Sequence, residues 1–258
     1  MVFDQIDRAA VMAEAKSLLR SAEVSPRRMA LLLLALTLLL NMGDAALTPL
    51  FGDGLGSSFF SMGAFLSVIL TLFTLVLEAG FRCYCLGVHR REEMQYDSLF
   101  EGFAFAGKVV GLFLLELLLI SFWSMLLFVP GVIAFYRYSF AMWDLCQNPE
   151  LGVIEALMLS RQQTRGYKLQ LFGLHLSFLP LLLPILALNL GYDYLLLPAI
   201  PDTYLCNMLS LLAFYLVSYA YLLYVKPYFS LSECGFYLRA TAAAQNDAQS
   251  DAPSDFEA

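Results

Sequence analysis

The feature that most limits what this chain can fold into is where its cations are not. Of fifteen Lys and Arg residues, fourteen fall in stretches that can share one side of a bilayer. Between those stretches run apolar segments of about twenty residues, the length that a helix needs to cross hydrocarbon. Only Arg137 lies inside such a run. Cationic flanks on one side and base-free loops on the other are the mark of a polytopic membrane protein and set its orientation. The chain is 60% hydrophobic and 14% charged, with a mean hydropathy of +0.69. A water-soluble domain is about half apolar and about one quarter charged. A polar skin over a core of that size would be impossible to build from these residues.

The apolar segments predict an all-α fold: a polytopic transmembrane bundle of about six spans, five to six, with amphipathic helices at the cytoplasmic interface. Residues 3–20 carry Ile6, Ala9, Ala13 and Leu18 at helical spacing, with Arg8, Lys16 and Arg20 elsewhere on the cylinder, and predict an interfacial helix. Residues 1–28 form that N-terminal unit, 29–235 the membrane domain, and 236–258 an acidic cytoplasmic tail expected to be disordered, since 241–258 has little apolar bulk. Met1 to Arg28 is too long and too mixed in charge to read as an export signal. Spans are expected near 29–50, 59–80, 109–129, 169–190 and 204–224. Glu78 and Arg82 close the second, and Lys226 follows the last. The bases place both termini in the cytoplasm.

The segment after 129 decides between five and six. One kinked helix through Pro130-Gly131 would put Arg161, Arg165 and Lys168 outside; a reversal there returns them inside. Proline interrupts the helical ladder and glycine permits a tight turn, so a reversal at Pro130-Gly131 is expected, with a short helix of roughly 22 Å over 132–146. Asn148-Pro149-Glu150 reads as the start of another interfacial helix, and Gly166 as its stop.

Ionisable residues inside spans are the natural site candidates. Glu116 sits in an unbroken apolar run and suits either a proton or cation site or a carboxyl bonded to a neighbouring helix. Arg137, flanked by Tyr136 and Tyr138, suits a lipid phosphate or an anion; its depth differs from that of Glu116 by about 10 Å in the hairpin arrangement, which disfavours a direct pair. His175 precedes Pro180 and Pro184, two residues expected to break their helix and free backbone acceptors. Tyr215 and Tyr219 share a face of the last span. Five cysteines give an odd count and no disulfide framework, and Cys83-x-Cys85 has no partner pair at zinc-finger spacing, so no metal is expected. No nucleophile elbow, phosphate loop or zinc helix motif is present, and no basic stripe with interleaved aromatics. The expectation is a non-enzyme without cofactor or nucleic acid, partnered by membrane lipids and by another membrane protein.

An ordered series of short stretches carries a resemblance. It comprises Ala13-x-x-Lys16-x-x-Leu19, Glu78-Ala-Gly-Phe-Arg-x-Tyr84, Leu99-Phe-x-Gly-Phe103, Pro130-Gly-Val-Ile-Ala-Phe-Tyr-Arg-Tyr138 and Asn148-Pro-Glu-Leu151. It continues with Glu155-Ala-Leu-x-x-Ser160, Thr164-Arg-Gly-Tyr-Lys168 and Leu174-x-Leu-Ser-Phe178. Together, over about residues 10–235, these resemble the bacterial integral membrane proteins known as domain of unknown function 975. More distantly they are similar to the membrane domain of some glycerophosphodiester phosphodiesterases, without room for that enzyme's catalytic barrel. The resemblance implies a helical membrane fold in a bacterial cytoplasmic membrane and no assigned activity.

Overall fold

The computed structural model describes residues 6–22, 24–52, 62–200 and 203–250. Among them there is no strand. The chain forms α1 (Arg8–Ser21), α2 (Pro26–Gly52), α3 (Met62–Arg90), a 3-10 segment (Tyr96–Phe105), α4 (Ala106–Leu126), α5 (Phe128–Tyr138), α6 (Ala141–Gln147), α7 (Val153–Gln163), α8 (Lys168–Gly191) and α9 (Tyr204–Ser250). By length and composition, five helical stretches can cross a membrane: Pro26–Leu47, Met62–Arg90, Tyr96–Leu126, Lys168–Ala199 and Tyr204–Gln245. The loop expected around 52–58 lies almost wholly outside the described residues.

Burial is segregated along the bundle. The larger cluster joins Val11 and Ala15 of α1, Met29 and Leu33 at the start of α2, Phe81, Tyr84 and Cys85 in the second half of α3, Trp143, Leu171, Phe178, and Leu231, Phe236 and Tyr237 of α9. A second cluster gathers Val76, Cys83, Val109, Leu112, Ala134, Tyr138 and Leu157. The other halves of the long helices are apolar yet bare: Met125 is 91% exposed, Phe128 81% and Leu205 67%. In water such a surface would drive aggregation; in lipid it is the ordinary boundary of a membrane protein. The chain is therefore a membrane-embedded helical bundle, packed as a protein core at one end and sheathed by lipid at the other.

The reversal occurs, but not where the Pro-Gly pair suggested. The helix ends at Leu127, whose backbone is extended, and α5 begins at Phe128. Pro130 thus stands in the first turn of α5, where a missing N–H leaves no helical bond unmade. Gly131 instead permits close approach: a Cβ there would meet Ser124 Oγ at 2.1 Å, so the two limbs of the hairpin touch at this glycine. The return limb is not one span but two short helices, α5 and α6, parted at Ser139-Phe140.

Three further expectations are corrected. Pro180 and Pro184 do not break α8, which runs on through both to Gly191. The Tyr221 hydroxyl donates to the Leu181 carbonyl at 2.9 Å, in the stretch where the prolines weaken the ladder. The tail expected to be disordered from 236 is helical to Ser250, with Phe236, Tyr237 and Ala240 fully buried; residues 251–258 lie outside the described residues. The reason is a partner surface: α1 packs along α9, and Arg239 donates to Glu14 at 2.7 Å. Asn148 ends α6 rather than opening the next helix. Its Oδ1 accepts from the Glu150 N–H, and α7 starts at Val153, where Glu155 accepts from the Gly152 N–H. Gly166, with φ of 92°, is the stop that the sequence promised.

Candidate functional site

At 1.5 Å per residue, α9 is roughly 70 Å long, more than twice the hydrocarbon thickness, so its second half must lie beyond the lipid. Lys226 stands near that boundary, about 33 Å from Tyr204. Here the packed and lipid-facing halves meet, and here the charges gather.

Lys226 of α9 forms an ion pair with Glu78 of α3. One turn on, the Arg82 guanidinium lies 5.6 Å from the Trp143 ring centroid, a cation–π contact that stabilises a cation away from water. It also feels the carboxylates of Glu233, Glu78 and Glu116. Glu233, 7% exposed, faces His175 Nε2 at 3.9 Å, an electrostatic distance rather than a hydrogen bond. The other ring nitrogen of His175 is 3.2 Å from the Tyr136 hydroxyl. One string of polar groups thus links α3, α4, α5, α8 and α9. A charge held at such a depth is tolerated best when it meets another charge or a hydrogen bond; Lys226 and Glu78 meet directly, whereas Arg82 and Glu116 act on each other only at longer range.

A second polar knot lies against the first. Tyr237 Oη is 2.8 Å from Asp144 Oδ1 and 2.8 Å from Gln147, and its ring stacks 6.1 Å from Trp143. Asp144 is 2% exposed. Removing the phenol oxygen takes the Oδ1 hydrogen bond from that buried carboxyl and leaves it Gln163 as a neighbour, so Tyr237→Phe is expected to cost about 2 kcal/mol. Thermal unfolding of the detergent-purified protein checks it, and an unchanged midpoint would show that the hydroxyl contributes nothing.

The sequence candidates divide. His175 and Glu116 both belong to the charged string, but Glu116 faces Arg82 and not Arg137. Arg137 sits apart, at the end of α5, its carbonyl accepting from Ser160 Oγ at 3.0 Å and Thr164 Oγ1 at 3.2 Å. Pro180 and Pro184 lie on the exposed surface of α8. Tyr219 accepts from Asn41 Nδ2 at 2.8 Å and holds α9 to α2. Cys83 and Cys85 are buried thiols. Glu78, Arg82, Lys226, Glu233 and Asp144 were not singled out as site residues. Two spacings carried the information: Glu78 and Arg82 stand four apart in an apolar stretch, and Lys226 and Glu233 seven apart, one helix face in each case.

Residues 125–244 match the family described as Protein of unknown function (DUF975). The similarity covers a little under half of the chain and takes in α5 to α9, hence Tyr136, Arg137, Asp144, His175, Lys226 and Glu233. No curated protein and no solved structure matches the chain.

Proposed function

We propose that this chain is a non-enzymatic scaffold of a bacterial cytoplasmic membrane, a lipid- or partner-binding subunit with both termini in the cytoplasm. The observation that carries the reading is that interior polar groups engage one another between helices, Glu78 of α3 with Lys226 of α9, Glu233 of α9 with His175 of α8, and His175 with Tyr136 of α5, which favours a stiff support. The clefts at Ser17–Met94, at Ile6–Ser177 and at Cys83–Glu150 reach neither Glu116 nor His175. The orientation rests on the bases of α1, the α7–α8 corner and the start of α2, which stand on the packed side. Recovery of the chain from native nanodiscs with a stoichiometric protein or lipid is the expected result; recovery of the bare chain refutes it.

One observation favours a second reading, a small-solute or ion transporter component. A groove of about 280 Å³ runs along α3 past Ser67, Thr71 and Thr74 to Glu78, with Asn41 and Asp44 on its α2 wall. That is one polar side chain per turn leading to an ion pair. Proteoliposome flux that exceeds the empty-vesicle rate and is lost in Glu78→Gln or Glu116→Gln would establish transport and displace the scaffold.

A further inference from the structure

Outside the charged string, three cations converge without an acid. Arg137 ends α5, Arg161 lies in the last turn of α7, and Lys168 opens α8. Both Arg137 and Arg161 act electrostatically on the Lys168 ammonium, and both are repulsive. Among the described residues no ion pair engages any of the three; the four that exist join other residues. The Arg137 Nε is buried and has no hydrogen-bond partner, although its own carbonyl is held by Ser160 and Thr164. Like charges brought together by three helices, with a donor left over, lack a counter-anion.

The surroundings say what kind. Each cation shares a helix face with an apolar residue that stays largely exposed: Ile133 four before Arg137, Met158 three before Arg161, and Phe172 four after Lys168, the last with one edge against the Tyr136 ring. Leu169, beside Lys168, is 82% exposed. A free phosphate has no use for that apolar margin, whereas a phospholipid fills both parts, its headgroup on the cations and its acyl chains along the bare side chains. We infer that Arg137, Arg161 and Lys168 form a headgroup site for an anionic phospholipid at the α5–α7–α8 corner. The inference rests on the lipid-binding reading above and names its ligand.

The test is native mass spectrometry of the full chain released from micelles doped with phosphatidylglycerol or with phosphatidylcholine of the same acyl chains. Preferential retention of phosphatidylglycerol is expected. Arg161→Gln and Lys168→Gln should each weaken it about fivefold; the triple Gln variant should bind the two lipids equally, and Arg161→Lys should behave as the parent. Arg161 is exposed, so its single variants read the site without disturbing the core. Equal binding of the two lipids by the parent overturns the proposal, as does a preference that survives the triple variant. Displacement of phosphatidylglycerol by inorganic phosphate would make this a soluble-anion site and overturn it too. A stoichiometric protein partner recovered alongside any of these failures would leave the scaffold standing without its lipid site.

Discussion

Replacing Gly80 by alanine is expected to lower the thermal midpoint by about 10 °C, an overpacking cost of about 3 kcal/mol in a chain of this size. A Cβ at Gly80 would stand 1.9 Å from the Leu99 carbonyl oxygen, and one at Gly102 would stand 2.5 Å from the Val76 carbonyl oxygen. The obstacle at both positions is backbone, which has no rotamer to change. The two glycines let the 3-10 segment lie directly on α3, and Leu99 enters the larger core cluster from there. Gly80→Ala therefore pushes the whole segment off α3 and opens the core behind it. Gly43 in α2 has nothing within 4 Å, so Gly43→Ala should leave the midpoint unchanged or raise it slightly. Circular dichroism melts of the two variants in one detergent decide the matter. Equal midpoints would mean that the contact between α3 and the 3-10 segment does not hold the bundle together.

Lys226→Met is the second large effect. It leaves the Glu78 carboxylate facing a groove where lipid, rather than water, is the alternative neighbour. The carboxylate loses its ion pair and keeps only the more distant Arg82, a change that costs about 2 kcal/mol. Adding Glu78→Gln removes the charge and should recover most of the loss, because a neutral amide beside methionine has no counter-ion to miss. Denaturation in mixed micelles of the parent, both single variants and the double variant gives the coupling energy directly. Additive losses would show that the two side chains stabilise the fold independently and that the ion pair contributes little.

The fold was legible where lipid imposes a simple demand. A crossing helix needs about twenty apolar residues, and the five stretches that the structure presents each overlap a predicted run, though most reach well past it, as Met62–Arg90 does against 59–80 and Tyr204–Gln245 against 204–224. The reversal before Arg137 was legible from the need to return Arg161, Arg165 and Lys168 to the side of the other bases. Its position was not, because proline is as much at home in the first turn of a helix as in a break. The tail misled for a related reason: low apolar bulk in 241–258 argued disorder, but Phe236, Tyr237 and Ala240 prolong the apolar face of α9, and α1 supplies what they cover.

Of the site, Glu116 and His175 announced themselves as ionisable groups amid leucines. Arg82 and Lys226 were hidden by the rule that reads the topology, which counts a cation near a span end as a flank. Both lie within continuous helices and meet carboxylates from other segments. Pairing between elements far apart in the chain leaves only helical spacing as its trace, and spacing alone does not name the partner. Glu116 acts on Arg82 while the Arg137 carbonyl is held by α7, and the neighbours of Arg137, Arg161 and Lys168, became visible only once α5, α7 and α8 were placed.

A bundle that threads a bilayer with its packed, basic end on the inner side must show each end to one compartment alone. Labelling of single cysteines in intact cells by a membrane-impermeant maleimide, on a cysteine-free background, tests this most directly. Tyr194→Cys, at an exposed position after α8, should label from outside; Lys16→Cys, on the exposed face of α1, should label only after permeabilisation. Labelling of both positions in intact cells, or of Lys16→Cys alone, would contradict it.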